Sequence, residues 1–235
     1  FPEGLYKTDE ENINNLWNHI ENKIGYPVTL VGTEKVDGSS ITIGITPKIP
    51  EGFICSRNLR KKLTINKRIG TRNLTLWDKF NQWLFNIGIR KTMIDIGIYQ
   101  EVINDDDFVR YGKPYLDCLL NQDPLVSNYK DIVLRGELNG AHLKGSGNKN
   151  NPARLEQPNI KFFGIDSIVE GVAKKMPYSL FKICASQLNL PTTKEVFNKE
   201  FNSKEELLAE CNNYFKTNMI EGIVVRTLDS KFSAK

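Results

Sequence analysis

Histidine and cysteine are scarce in this 235-residue sequence, and each shortage excludes a kind of chemistry. His19 and His142 are the two histidines, which argues against histidine-based catalysis and against a histidine-rich metal site. The cysteines are Cys55, Cys118, Cys184 and Cys211, which lie far apart and form no Cys-x-x-Cys pair. We therefore expect reduced core thiols in an intracellular protein rather than disulfides or a zinc site.

Long hydrophobic runs are also missing. No apolar stretch approaches the roughly 20 residues that a transmembrane helix needs, so we expect no membrane partner. The sequence begins Phe-Pro-Glu-Gly, without an initiator methionine or a signal peptide, and we expect residues 1–235 to be a fragment of a longer protein. With 40% hydrophobic and 26% charged residues, the composition is that of a globular protein that buries its own core, and we expect a monomer.

Acidic residues are absent from one stretch of the chain, residues 57–72, although the net charge is only +4. The cations of this basic stretch are Arg57, Arg60, Lys61, Lys62, Lys67, Arg68 and Arg72. A solvated basic loop and a surface that follows a nucleic-acid backbone are both consistent with this pattern.

The hydrophobic pattern predicts a mixture of strands and helices. Short apolar or alternating runs predict strands near 28–31, 41–45, 53–58, 96–102, 132–138, 161–165 and 220–226. Capping boxes and helical spacing predict helices at 9–23, after Thr75, at 178–188 and after Ser203. The three aspartates at 105–107 are expected in a solvated loop rather than at a metal, and residues 140–152 in a second loop. The mixture of antiparallel-looking strands and helices indicates the α+β class.

One segment, Glu-Lys-Val-Asp-Gly-Ser-Ser at residues 34–40, organises the rest of the sequence. It lies between two predicted strands, and its Asp-Gly pair suits a tight turn that would present the Lys35 amine on a rigid frame. A solvated lysine beside a hairpin turn is the alternative interpretation, because a four-residue pattern is weak on its own.

Charged residues at other predicted strands could complete a site around Lys35. Arg57 follows one strand, and Glu137 and Glu221 lie within strands, where a carboxylate is otherwise out of place. Lys231 and Lys235 are four residues apart, so on a strand both ammonium groups would face the same way. Buried structural glutamates and a frayed basic terminus are the alternatives.

Five segments together resemble the covalent nucleotidyltransferases, the superfamily of ATP-dependent DNA and RNA ligases and mRNA capping enzymes. Lys-Val-Asp-Gly at 35–38 resembles motif I, Ser-Arg-Asn at 56–58 motif Ia, and Phe-Phe-Gly-Ile-Asp at 162–166 motif III. Glu-Gly-Ile-Val-Val-Arg at 221–226 resembles motif IV, and residues 231–235 resemble motif V. All five occur in the order of the superfamily, which makes the resemblance far more specific than any one motif.

Within the superfamily, Arg-Gly-Glu-Leu-Asn-Gly at 135–140, with the segment up to residue 152, most resembles RNA ligases related to phage RNA ligase 2. Residues 1–16 resemble the start of the transferase domain in RNA ligases that carry an OB-fold module ahead of it. The resemblance implies a nucleotidyltransferase (ATP-grasp-like ligase adenylation) fold with antiparallel sheets and flanking helices. It also implies that residues 1–235 are one adenylation domain of a longer ligase.

The resemblance implies a role for each candidate residue. Lys35 is the nucleophile that forms a covalent lysyl-AMP, within a nucleotide site that includes Asp37, Gly38 and Arg57. Glu34 contacts adenine through its backbone, and Val224 covers one face of the base. Many relatives stack adenine on an aromatic residue just before the motif III aspartate, where this sequence has Ile165, and Phe163 on the same strand face is the other candidate. Glu137 contacts the ribose or a metal-bound water, Glu221 contacts the metal, and Lys231 or Lys235 contacts the α-phosphate.

The implied reaction has three steps and uses ATP with Mg²⁺ or Mn²⁺. Lys35 takes AMP from ATP, the AMP passes to an RNA 5′-phosphate, and a 3′-hydroxyl displaces it and seals the strand, as in RNA repair or processing. A DNA ligase core, an mRNA guanylyltransferase and a non-catalytic nucleic-acid-binding relative are the alternatives. The segment at 135–140 and the lack of an OB domain after motif V favour an RNA ligase. Lys35 and the two glutamates argue against a binding module.

Overall fold

The computed structural model describes residues 1–7, 10–90, 93, 95–121, 131–140, 143 and 155–235. The chain divides into two compact units, a larger one of Phe1–Lys61 with Asp106–Lys235 and a smaller one of Lys62–Asp105. Thr8, on which the first predicted capping box depends, and most of the predicted loop at 140–152 lie outside the described residues.

The secondary structure mixes antiparallel strands with helices, which confirms the α+β class. The described strands are β1 (Val28–Lys35), β2 (Ser39–Thr46), β3 (Ile49–Ser56), β4 (Thr64–Thr71), β5 (Gly97–Ile103), β6 (Ile132–Asn139), β7 (Asn159–Val169), β8 (Val172–Lys175), β9 (Glu195–Phe201), β10 (Gly222–Thr227) and β11 (Ser233–Ala234). The described α-helices are α1 (Trp17–His19), α2 (Leu76–Asn86), α3 (Asp107–Leu120), α4 (Tyr178–Gln187) and α5 (Lys204–Thr217).

The larger unit contains two antiparallel sheets. One has four strands in the order β11-β10-β1-β9, and the other has five in the order β3-β2-β6-β7-β8. Consecutive strands β1 and β2 therefore belong to different sheets. Residues 36–38 cross from one sheet to the other, so the hairpin turn of the alternative interpretation is wrong.

The predicted helix at 9–23 is instead a chain of short turns. A 3₁₀ turn at Ile13–Asn15 precedes α1, and a π turn at Ile20–Ile24 follows it. The Asn12 side chain accepts a hydrogen bond from the Asn14 N–H, a local contact that competes with regular helix, and asparagine has a low helix propensity. The apolar stripe still packs as expected, because Trp17 and Ile20 are buried in the core beside the four-stranded sheet.

Helix α3 was missed by the sequence pattern. Asp106, expected in a solvated loop, caps this helix by accepting a hydrogen bond from the Phe108 N–H. Gly112 and Pro114 interrupt the helical period, and both residues usually weaken a helix interior. Close packing explains why residue 112 is a glycine, because a Cβ at this position would approach Ile54 and Ile41 to within 3.3 Å.

A buried ion pair links the central strand of the five-stranded sheet to its neighbour. Arg135 on β6 donates from Nε to Asp166 on β7 at 2.7 Å, and the two side chains are only 2% and 1% exposed. The Arg135 Nη1 donates to the Thr42 hydroxyl at 3.2 Å, and the Tyr6 hydroxyl donates to Asp166 at 2.8 Å. The Tyr6 ring also lies 4.8 Å from the guanidinium. The motif III aspartate is thus part of the structural core.

The smaller unit contains the antiparallel pair β4 and β5 together with α2. The predicted capping box of α2 is confirmed, because Thr75 and Asp78 satisfy each other's backbone N–H. Arg72 also pairs with Asp78, and this contact is the main reason that the pKa of Asp78 lies well below its usual range. Strand β4 was not predicted, because its residues were interpreted only as part of the basic stretch.

All four cysteines are free thiols. Cys55 and Cys184 are buried as expected, but Cys118 is exposed and Cys211 only partly buried, so the expectation of four core thiols is wrong for these two.

Among the described residues, we find no helix with both the length and the apolar character needed to cross a membrane.

The buried pair predicts a large stability effect. Asp166→Asn would leave the Arg135 cation buried without a counter-charge, and we expect a loss of about 3–5 kcal/mol in the free energy of unfolding. Asp117→Asn, which breaks the partly exposed Lys113–Asp117 pair on α3, should cost only about 0.5 kcal/mol. Urea unfolding of both variants measures the difference, and equal losses would contradict the structural role of Asp166.

Candidate active site

A cleft of about 670 Å³ opens between the two sheets of the larger unit. The four-stranded sheet contributes residues from β1 and β10, and the five-stranded sheet contributes residues from β2, β3, β6 and β7. Most of the candidates chosen from the sequence line this cleft. They are Glu34, Lys35, Asp37, Gly38, Arg57, Glu137, Phe163, Glu221, Val224 and Lys235. Ile165 and Lys231 do not.

Lys35 is the last residue of β1, where the chain leaves the four-stranded sheet. Its register partner on β10 is Gly222, and the lysine stem lies 3.5 Å from where a Cβ of this glycine would be. The Lys35 Nζ donates a hydrogen bond to the carboxylate of Glu221, the residue just before β10. The strand pairing therefore holds the amine and this carboxylate together.

Gly38 ends the crossover from β1 to β2. A Cβ at this position would overlap the carbonyl oxygen of Leu138 and lie 3.0 Å from the Glu137 Cγ. Glycine is therefore required here by the close approach of β6 rather than by an unusual backbone angle. The same approach brings Glu137 toward Lys35.

Glu137 is the most strongly perturbed carboxylate of the cleft. Burial raises its pKa to about 8, and the negative charges of Glu221 and Asp37 act in the same direction. The cations of Lys35 and Arg57 only partly oppose this rise. The raised pKa of Glu137 is thus mainly an effect of its removal from water, to which the neighbouring carboxylates add.

Phe163 and Ile165 do not share a strand face as the period-2 pattern predicted. Arg135 pairs with Gly164 but Gly136 pairs with Phe162, so Phe163 is an extra, bulged residue on β7. The bulge turns the Phe163 side chain toward the cleft, whereas Ile165 is fully buried in the core. A contact of Ile165 with a ligand in the cleft is thus ruled out by its position.

Arg226 connects the bulge to the opposite sheet. This buried side chain on β10 donates from Nη1 to the Phe163 carbonyl at 2.7 Å and from Nη2 to the Thr33 hydroxyl at 3.2 Å. Burial lowers the pKa of the guanidinium, and the Tyr178 ring lies 5.7 Å away. Arg226 thereby sets the spacing between Phe163 and Val224, the two apolar groups that could enclose a base.

Glu34 is fixed at the edge of the cleft by its own contacts. Its carboxylate accepts a hydrogen bond from the Tyr214 hydroxyl at 2.6 Å and pairs with Lys194 at 3.4 Å. Its backbone N–H is donated to the Lys194 carbonyl at 2.9 Å. Any backbone contact of Glu34 with a base must therefore use its carbonyl oxygen.

Of the two candidate lysines near the C-terminal end, only Lys235 reaches the cleft. Strand β11 contains only Ser233 and Ala234, so the longer strand that would place both ammonium groups on one face is absent from the described residues here. Lys231 lies in the preceding bend, 86% exposed, and pairs with Asp229. The expectation that the two lysines face the same way is therefore wrong.

Several cleft residues were not identified from the sequence. Glu10, Thr193, Lys61 and Phe108 also line the cleft. Phe108 belongs to helix α3. Lys61 is held beside this helix, because it pairs with the capping residue Asp106 at 2.9 Å. The signal for α3 was present in the spacing of Val109, Leu116 and Leu119, but nothing in the sequence pointed to Glu10 or Thr193.

The carboxylates of the cleft suit a divalent cation held in part by a ligand. Among the described residues, no group of three or more His, Cys, Asp or Glu side chains is arranged to hold a metal ion by itself. Mg²⁺ is commonly held by one or two carboxylates together with waters and substrate phosphates. Glu137 and Glu221 both line the cleft and could provide two such oxygen ligands, and a nearby cation would favour the charged form of Glu137.

The fold is similar to that of solved RNA ligases. The ligase from Naegleria gruberi with pyrophosphate matches with a TM-score of 0.61 and 22% identity, and a variant with ATP and Mn matches with a TM-score of 0.62 and 22% identity. A further variant, with AMP and Mn, matches at 0.61 and 22%. Each comparison covers 100% of this chain and 56% of the Naegleria chain, so this chain spans little more than half of the ligases that it matches.

A search of curated proteins finds no significant match. The profile of the RNA ligase family matches residues 28–235, which include all five motifs and nearly the whole cleft. The resemblance recognised in the sequence is confirmed, and this chain belongs to the RNA ligase family.

Proposed function

We propose that this chain carries out the ATP-dependent adenylation chemistry of an RNA ligase, with Lys35 as the nucleophile. The observation that carries this proposal is the position of the Lys35 amine, which lies in a cleft, bonded to Glu221 and close to the partly buried Glu137. A surface lysine whose only role was to keep the protein soluble would not need to lie in a cleft beside two carboxyl groups. Membership of the RNA ligase family and the fold shared with ligases solved with ATP, AMP and Mn support the same conclusion.

In the first step the Lys35 nitrogen attacks the α-phosphorus of ATP. A P–N bond forms, the bond from the α-phosphorus to the bridging oxygen breaks, and pyrophosphate leaves. The ammonium must first lose a proton, and the Glu221 carboxylate that accepts its hydrogen bond is the nearest acceptor described. Arg57 and Lys235 lie in the same cleft, where their positive charge would stabilise the charge that develops on the phosphates.

The adenine would lie between Phe163 and Val224, which face the cleft from the two sheets. The Glu34 carbonyl would accept a hydrogen bond from the 6-amino group of adenine, which guanine lacks. A divalent cation, when bound, would neutralise phosphate charge and orient the leaving pyrophosphate. In this assignment Lys235 rather than Lys231 approaches the α-phosphate, and Phe163 rather than Ile165 contacts the base.

The later steps would transfer AMP to an RNA 5′-phosphate and join it to a 3′-hydroxyl. We propose that residues 1–235 are the adenylation domain, and that an OB-fold module in a longer chain assists with RNA, since the matched ligases are longer. A monomer in an intracellular compartment is part of the proposal, and the four free thiols are consistent with a reducing environment.

The first prediction concerns the nucleophile. Incubation with ATP labelled at the α-phosphate and with Mg²⁺ or Mn²⁺ should give an acid-labile label on the denatured protein, and Lys35→Ala should carry none. Lys194→Ala, which removes a lysine at the edge of the site but not the nucleophile, should retain the label. A label that survives in Lys35→Ala, or no label in a folded wild-type sample free of AMP, would contradict the proposal.

The second prediction concerns the metal. Titration of Mn²⁺ in the presence of a non-hydrolysable ATP analogue, followed by electron paramagnetic resonance, should show tight binding to the wild type. Glu137→Gln and Glu221→Gln should each weaken it at least tenfold, because each removes one of two oxygen ligands. Asp229→Asn, which removes an exposed carboxylate that pairs with Lys231, should bind Mn²⁺ as the wild type does.

The third prediction concerns RNA. Three cations of the basic stretch are paired in the structure, Arg60 with Glu51, Lys61 with Asp106 and Arg72 with Asp78. Lys62 and Lys67 have no ion pair among those described, and removing both should reduce the slope of log affinity against log salt by about 1.4 for a single-stranded RNA. Lys182→Ala, on the exposed face of α4, should leave the slope unchanged. An unchanged slope in the Lys62/Lys67 variant would exclude a phosphate-following role.

A further inference from the structure

Strand β11 directly precedes Lys235. Its described pairs with β10 are Ala234 with Val225 and Ser233 with Arg226, and neither of them includes Lys235. The described contacts that hold Lys235 therefore come from another segment.

The N-terminal segment, residues 10–13, supplies the missing contacts from the other edge of β11. Glu11 forms a parallel bridge with Ala234. The Lys235 N–H is donated to the Glu11 carbonyl at 2.9 Å, and the Ile13 N–H is donated to the Lys235 carbonyl at 2.7 Å. Both backbone groups of Lys235 are thus bonded to residues more than 200 positions earlier in the chain.

Glu10 adds a side-chain junction at the same place. One oxygen of its carboxylate accepts a hydrogen bond from the Ser233 hydroxyl on β11, and the other lies 3.4 Å from the Lys175 ammonium on β8. Lys175 also donates to the Ser233 hydroxyl at 3.1 Å. Since β11 belongs to the four-stranded sheet and β8 to the five-stranded sheet, Glu10 links the two walls of the cleft.

The junction is partly shielded from solvent, with side-chain exposures of 31% for Lys175 and 21% for Glu10. Glu10 itself lines the cleft, as Lys235 does. The family match begins at residue 28, so membership of the family assigns no role to this segment. We propose that Glu10 is a positioning residue that, through Ser233 and Lys175, holds Lys235 in the direction needed for transfer of AMP to Lys35.

This inference rests on the proposed function, because it assigns Lys235 to the α-phosphate. Small errors in the position of a catalytic group reduce the rate of the chemical step more than they reduce the affinity for substrate. Loss of Glu10 should therefore lower the rate of adenylation at saturating ATP and leave the Michaelis constant for ATP nearly unchanged. A merely structural role would instead lower the thermal unfolding midpoint and the fraction of active protein.

A double-mutant cycle tests this route of action. Glu10→Ala should slow lysyl-AMP formation about tenfold or more, whereas Glu11→Ala, its exposed neighbour with only backbone contacts described, should react as the wild type does. Glu10→Ala should have no further effect in a Lys235→Ala background, because the residue through which it acts is gone. Rate losses that multiply in the double variant, or equal rates for Glu10→Ala and Glu11→Ala, would overturn the inference.

Amide hydrogen exchange provides a readout that does not depend on activity. In Glu10→Ala the Lys235 amide should exchange at least tenfold faster than in Glu11→Ala, because its acceptor segment is no longer anchored. Ser233→Ala removes one partner of Glu10 without a change in charge, and it should show the same increase in the exchange rate of the Lys235 amide. This variant serves as the test if Glu10→Ala folds poorly. Unchanged exchange in both variants would overturn the inference. If the wild type forms no lysyl-AMP while the exchange difference is present, the proposed function is wrong, but the role of Glu10 in holding Lys235 in position is not.

Discussion

The hydrogen bond from Arg226 to the carbonyl of Phe163 joins the two sheets beside the cleft that both residues line. Arg226 is buried, and burying a guanidinium is costly unless hydrogen bonds offset the loss of water. Its Nη1 and Nη2 donate to the bulged residue of one sheet and to Thr33 of the other, whereas its Nε has no hydrogen-bond partner among the described residues. Separation of the two walls would leave a second buried donor of Arg226 without a partner, and this cost restrains the distance between Phe163 and Val224. The apolar part of the cleft therefore depends on a buried cation in the strand that carries Val224.

The local parts of the site could be predicted from the sequence because each has a local cause. Lys35 and Gly38 stand between two apolar runs, and Glu137 and Glu221 interrupt strands in which a carboxylate has no structural purpose. The capping box of α2 requires only residues within one turn of helix, and the structure confirms it. Features of this kind survive any arrangement of the rest of the chain.

The parts that failed depend on contacts between distant segments. Period-2 alternation placed Phe163 and Ile165 on one face, but a bulge opposite Arg135 and Gly136 shifts the phase, and a bulge is set by the partner strand. The same reasoning placed the ammonium groups of Lys231 and Lys235 on one strand face, although Lys231 lies in the bend before β11. A hairpin at Asp37 and Gly38 could not be excluded from the sequence, because only the pairing of β1 and β2 with other strands shows that the two strands separate. Glu10 has no sequence signal, since its partners lie on β8 and β11.

The charges of the cleft restrict what the site can bind. Burial is the main cause of the raised pKa of Glu137, and the nearby charges of Glu221 and Asp37 add to it. Phosphates bound near this carboxyl group without a cation would add further negative charge and oppose its ionisation. A divalent cation on its own would find no group of three or more His, Cys, Asp or Glu side chains to hold it among the described residues. The two together satisfy each other, because the phosphates complete the coordination of the metal and the metal offsets the carboxylates. Nucleotide and metal binding should therefore be strongly coupled in this protein.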